Sequence, residues 1–94
     1  MIVSFRTKLT EKIWRGEWEK KIPVEIQRIG RRKLRMLNNS QNLTDLRIPL
    51  SNRLEKLKGV TNDIYSIRIN DQWRIVFKWV NNHAHDVEII DYHK

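Results

Sequence analysis

Tyr65-Ser66-Ile67-Arg68-Ile69-Asn70-Asp71-Gln72-Trp73-Arg74-Ile75-Val76-Phe77 decides the fold of this 94-residue chain. Tyr65, Ile67 and Ile69 alternate with Ser66 and Arg68, while Trp73, Ile75 and Phe77 alternate with Arg74 and Val76. Period two marks strands with one buried face. The polar Asn70-Asp71-Gln72 between them reads as a turn, so the stretch predicts an antiparallel hairpin. Parity then follows, because a slip of one residue turns every side chain over. Ile69 falls opposite Trp73, and Arg68 falls opposite Arg74 on the other face. Like charges so placed destabilise a sheet by a few tenths to about 1 kcal/mol. A bound anion would reverse the sign.

A second hairpin follows through Asn81-Asn82-His83. Val87 and Ile89 alternate with Glu88 and Ile90, and must join the buried face. With ordinary turns and no bulge, Phe77 is set against Val87, Val76 against Glu88 and Lys78 against Asp86. Ile90 and Tyr92 then project on the face of Arg74. Arg68, Arg74 and Tyr92 are expected to converge at one edge of the outer face, with His93 just beyond.

Upstream, Ile2 to Phe5 reads as a short strand. Thr7 caps a helix carrying Leu9 and Ile13, with Trp14 and Trp18 on a neighbouring line, and Gly16 interrupts it. A second helix has Pro23 in its first turn and Ile22, Ile26, Ile29, Leu34 and Leu37 on its apolar side. Asn38-Asn39-Ser40 ends it. Arg28, Arg31, Arg32, Lys33 and Arg35 are assigned to the opposite side, either as a solvated face or as a surface for phosphates or a partner. From Gln41 to Gly59 the pattern is weak, with turn signals at Pro49 and Ser51-Asn52. An extended crossing segment with one helical turn is expected there. Trp73 and Trp79 fall on the core-face parity, so packing is their expected role.

Residues 1–94 suffice for one domain with a single modest core. A hydrophobic content of 39% and a charged content of 32% suit a globular protein. The net charge of +8, with a pI near 10.2, attracts polyanions. There is no cysteine, which removes disulfides and thiolate metal sites. No apolar run reaches the ~20 residues that span a bilayer, and Met1 to Arg6 does not read as a signal peptide. A cytoplasmic protein that does not engage membranes is expected.

Asp91-Tyr92-His93-Lys94 places an acid, a phenol, an imidazole and an ammonium directly after a strand. Lys58, Arg68 and Arg74 add fixed positive charge. Proton-moving groups beside cations are what RNA cleavage by its own 2′-hydroxyl requires. His93 is the natural titrating group, and Asp91 or Glu55 can act as base or orient it. Arg74, Arg68 and Lys58 suit the phosphate, and Tyr92 can stack on a base. Blander readings exist for each: a solvated terminal histidine, a turn at Lys58-Gly59, an Arg74 paired with Glu88 or Asp91. His83 and His85 flank Ala84 without completing a metal site and read as surface residues. No metal and no cofactor is expected.

Asn52-Arg53-Leu54-Glu55-Lys56-Leu57-Lys58-Gly59, then Tyr65 to Phe77, then Val87-Glu88-Ile89-Ile90-Asp91-Tyr92-His93 resemble the HigB branch of the RelE/ParE toxin superfamily. The opening Ile2, Ser4 and Phe5 and the basic second helix also fit. The resemblance implies an α+β, RelE-like fold, with two N-terminal helices packed on a small antiparallel β-sheet. It implies a type II toxin: an mRNA endoribonuclease working on the ribosome without a metal. The implied partner is a HigA-type helix-turn-helix antitoxin, through which operator DNA is bound. By family pattern Arg74, Asp91, Tyr92 and His93 match residues implicated in cleavage, and Lys58 matches a catalytic or phosphate-binding residue. Some relatives carry histidine where this chain has Glu55, and many carry an acid where it has Val60. Two other functions are weighed beside this one: a non-catalytic gyrase inhibitor like ParE members, and a basic nucleic-acid-binding regulator.

Overall fold

Two helices precede an antiparallel sheet in the computed structural model, which describes residues 1–57 and 63–92. Helix α1 spans Lys8–Trp14 and α2 spans Val24–Asn39. Short 3₁₀ turns at Leu43–Arg47 and Leu50–Asn52 lead to β1 (Glu55–Lys56), β2 (Ile64–Arg68), β3 (Trp73–Val80) and β4 (His83–Asp91). The strands lie in the order β1-β2-β3-β4, each antiparallel to its neighbour. The architecture is α+β, as the alternating C-terminal third and the helical patterns before it predict. No helix among the described residues is long and apolar enough to cross a membrane.

Thr7 caps α1 as expected, its Oγ1 accepting from the Thr10 N–H at 3.2 Å. Gly16, at φ +82°, lies just past the helix end, a conformation glycine adopts without cost. Pro23 is the N-cap residue of α2, where its missing N–H is no loss.

The first hairpin has the register that parity demands. Ile67 pairs with Ile75 and Arg68 with Arg74, while the Ile69 N–H donates to the Trp73 carbonyl at 2.9 Å. Asn81 and Asn82, both at positive φ (52° and 64°), close the second hairpin as a tight two-residue turn. The second register departs from expectation in its far half. Val76 opposes Glu88, but Lys78 opposes His85 rather than Asp86. Asp86 sits at φ +52° and supplies one extra residue to β4, a bulge. Val87 still reaches the core, fully buried.

The expected strand at Ile2 to Phe5 is instead a pair of isolated parallel bridges to β4, Ile2 with Ala84 and Phe5 with Val87. The β4 bulge lies between them and breaks the ladder. Ser4 compensates, its Oγ accepting from the Asp86 N–H at 2.9 Å. The segment covers the β4 edge, which would otherwise expose unpaired backbone groups.

The core forms where α1 and α2 lie on the sheet. Ile67, Ile75, Phe77, Val87 and Ile89 meet Ile13, Ile26, Leu34 and Leu37, all buried. Trp73 and Trp79 pack against this cluster, in keeping with their parity. Gly30 brings α2 close: a Cβ there would stand 3.1 Å from Ile89 Cδ1 and 3.4 Å from Ile69 Cδ1. Gly30→Val should therefore cost about 1–3 kcal/mol through overpacking. Urea unfolding checks this, and an unchanged or raised midpoint would show that the helix has room to move.

Candidate functional site

Arg74 is the centre of the outer face, and only 8% exposed. A guanidinium so far removed from water needs partners. Its Nε donates to Ser66 Oγ at 2.9 Å and its Nη2 to the Arg53 carbonyl at 2.8 Å. The same Nη2 lies 3.2 Å from Glu55 Oε1. The Tyr92 ring centroid is 5.8 Å from Arg74 Cζ, within cation–π range. Three strands and a loop converge on one side chain.

Sheet register explains the convergence. Glu55 pairs with Ser66 in β1–β2, so both sit on the outer face beside Arg74. Arg74 pairs with Ile90, so Tyr92, two residues further, returns to that face. The loop supplies the rest. Arg53 caps the Leu50–Asn52 turn in the left-handed region at φ 44°, and its carbonyl accepts from Arg74. Among the described residues none accepts a hydrogen bond from Arg74 Nη1, whereas Nε and Nη2 are both engaged.

Two residues whose buried role the sequence pattern does not announce hold this loop. Asn52 is fully buried, its Oδ1 accepting from Lys33 Nζ at 2.8 Å and its Nδ2 donating to the Leu46 carbonyl at 3.1 Å. Lys33 Nζ also donates to the Arg68 carbonyl at 2.8 Å. Lys33 is thus buried, not on the basic surface with Arg28, Arg32 and Arg35. The reason is helical spacing: Ile26, Gly30, Lys33 and Leu37 form the buried line of α2. Burial chiefly, then the charges of Arg32, Arg68 and Arg74, hold the Lys33 pKa below its ordinary value.

The other expected site residues distribute as follows. Arg68 lies directly across from Arg74 and is paired with Asp71, so each arginine has its own carboxylate. Neither Glu88 nor Asp91 takes the Arg74 ion pair; that role falls to Glu55, and Glu88 lies 3.6 Å from Arg6. Asp91 pairs with Trp73 and accepts from Gln72 Nε2 at 3.0 Å. Alternation places it opposite in face to Arg74 and Tyr92. Lys58 and His93 lie outside the described residues. His83 is exposed and His85 partly so, as surface residues would be.

A sequence profile described as a RelE-like toxin of the type II toxin-antitoxin system HigB matches residues 3–93. The chain belongs to the HigB-like toxin family. It is 38% identical over 85 residues to Toxin HigB-1 of Vibrio cholerae, covering 89% of this chain and 90% of that protein. It is also 42% identical over 72 residues to an uncharacterised Haemophilus influenzae protein, covering 77% of this chain and 71% of that one. As a member of a type II toxin–antitoxin system, this HigB-like toxin has an antitoxin as partner.

The buried ammonium yields a pH signature. Because folding lowers the Lys33 pKa, the unfolded chain holds more protons between the folded value and the ordinary 10.5. Stability contributed through Lys33 therefore rises with pH across that window and is lost as pH falls through the folded value. Relative to Lys33→Met, the wild-type toxin should gain stability as pH is raised toward 10.5. Denaturant unfolding of both proteins over a pH series checks this; a constant gap between them would contradict it.

Proposed function

We propose that this toxin is a ribosome-dependent endoribonuclease that cuts mRNA and so blocks translation. The observation that carries the reading is Arg74, locked by Ser66, Arg53 and Glu55 with one nitrogen of its fork unengaged and the Tyr92 ring beside it. A guanidinium fixed before substrate arrives stabilises developing phosphoryl charge without reorganising.

In the proposed reaction the 2′-oxygen forms a bond to the adjacent phosphorus while the bond to the 5′-oxygen breaks. A base takes the 2′-hydroxyl proton and an acid returns one to the leaving oxygen, giving a 2′,3′-cyclic phosphate and a 5′-hydroxyl. Glu55 is exposed and adjacent to the phosphate-binding fork, which suits it to the base. His93, following Tyr92, is the acid. Tyr92 stacks on a base, which holds single-stranded RNA in place. Arg68 and Lys58 add charge for the flanking phosphates. Asp91, on the other alternation, orients the terminal histidine rather than touching the phosphate. The cytoplasm supplies ribosomes and mRNA, and a helix-turn-helix antitoxin of the HigA type restrains the toxin and links it to operator DNA.

Expression in growing bacteria should arrest translation, with mRNA cuts at fixed codon positions. Arg74→Lys keeps the charge but loses the fork, and should lower cleavage about 10²-fold. His93→Ala should lower it ~10²–10⁴-fold, as loss of a placed proton donor does. Both are read by primer extension on translated mRNA at equal toxin levels. Wild-type cutting by either variant, or a DNA-damage response without cuts, would sink the reading.

A further inference from the structure

An ammonium is costly to keep in a protein interior unless it is well partnered. Lys33 is only 6% exposed, and what it holds are two oxygen atoms. Its Nζ donates to Asn52 Oδ1 and to the Arg68 carbonyl, each at 2.8 Å. An ammonium only donates, so it fixes which end of the Asn52 amide faces it. The Nδ2 end is then turned to the Leu46 carbonyl and to Met36 Sδ, both at 3.1 Å. Asn52 is fully buried and cannot rotate without breaking all three contacts.

Both oxygens lead along the backbone to the partners of Arg74. Arg53 follows Asn52, sits at φ 44° and turns its carbonyl to Arg74 Nη2. A non-glycine residue persists in the left-handed region only where its surroundings hold it there. Glu55, on the same run of chain, stands 3.2 Å from that nitrogen. Arg68 ends β2 two residues after Ser66, whose hydroxyl accepts from Arg74 Nε. Ser66, Arg53 and Glu55 therefore all lie within three residues of Asn52 or of the carbonyl that Lys33 grips.

We propose that Lys33 and Asn52 are positioning residues for RNA cleavage. Together they set the Arg53 carbonyl and the end of β2, and through these the aim of the Arg74 guanidinium. Their effect on cleavage rests on the nuclease reading; their effect on Arg74 does not. A guanidinium whose angle drifts still attracts phosphate, but it meets the charge developing in the transition state less well. Loss of either residue lowers turnover and spares substrate affinity.

The test compares wild type, Lys33→Met, Asn52→Ala and Arg74→Lys. Cleavage of mRNA on ribosomes is measured at concentrations of folded toxin matched by circular dichroism. The Arg74 Nε–H is followed by NMR in the free proteins. Lys33→Met and Asn52→Ala should each lower kcat at least about tenfold, with KM within about twofold of wild type. In both, the Arg74 Nε–H should exchange at least about tenfold faster. A merely structural role alters only the amount of folded protein. Wild-type kcat in either variant, an effect carried by KM alone, or unchanged Nε–H exchange would therefore overturn the proposal. Should a variant not fold, the wild type decides alone. On saturation with a 2′-O-methyl RNA oligonucleotide, its Lys33 Nζ and Asn52 Nδ2 signals should shift together with that of Arg74 Nε. Fixed Lys33 and Asn52 signals while Arg74 moves would overturn the proposal. If wild type and Arg74→Lys cut alike, the nuclease reading fails by itself, and Nε–H exchange in the free variants still decides the positioning.

Discussion

A guanidinium held almost out of water on the outer face of a sheet dictates much of the structure around it. Charge in that position is costly unless polar partners compensate it. Arg74 is matched by a serine hydroxyl, a backbone carbonyl and a carboxylate from three different segments. Each match constrains its own segment. Ser66 is fully buried, β1 must reach far enough to bring Glu55 into range, and the loop must turn left-handed at Arg53. The order is purchased with an ammonium in the interior: Lys33 ties α2 to Asn52 beneath that loop and to the end of β2. Helix layer and site are therefore one mechanical unit.

That unit explains how the sheet tolerates two arginines face to face. Arg68 and Arg74 would repel, yet each has a private carboxylate, Asp71 on the turn and Glu55 on the edge strand. The two differ in kind. Asp71 is nearly fully exposed, and an exposed pair contributes little. In the second pair Glu55 stays exposed, but the Arg74 guanidinium is buried and carries hydrogen bonds as well, so Arg74 is the fixed element. The β4 bulge is placed where it does no harm to this. It shifts the half of β4 near the Asn81-Asn82 turn, while Arg74 keeps Ile90 as partner and Tyr92 keeps its side.

Much of this was legible in the sequence because period two leaves no freedom. Once Tyr65, Ile67 and Ile69 share the core with Trp73, Ile75 and Phe77, the Arg68–Arg74 pair and the side taken by Tyr92 follow. The bulge was not legible, since alternation is silent about an inserted residue. Its signal is an aspartate, a residue that tolerates the left-handed region, between β-formers. Charge alone groups Lys33 with its arginine neighbours and so puts it on the wrong side of α2. Counting by helix geometry, Ile26, Gly30, Lys33 and Leu37 lie on one line, and the glycine marks close approach to the sheet. The roles of Asn52 and the Arg53 carbonyl had no local signature. A buried asparagine and a backbone oxygen become visible only when the chain has folded around Arg74.

The proposed function puts the RNA phosphate on Arg74 rather than on the basic face of α2. The most direct measurement is the NMR signal of its Nε–H during titration with a 2′-O-methyl RNA oligonucleotide that cannot be cleaved. In the free toxin that proton is hydrogen-bonded to Ser66, so its signal should be visible and slow to exchange. On saturation it should shift together with the Tyr92 ring resonances. An Arg74 signal that stays fixed while those of Arg28, Arg32 and Arg35 move would contradict the claim.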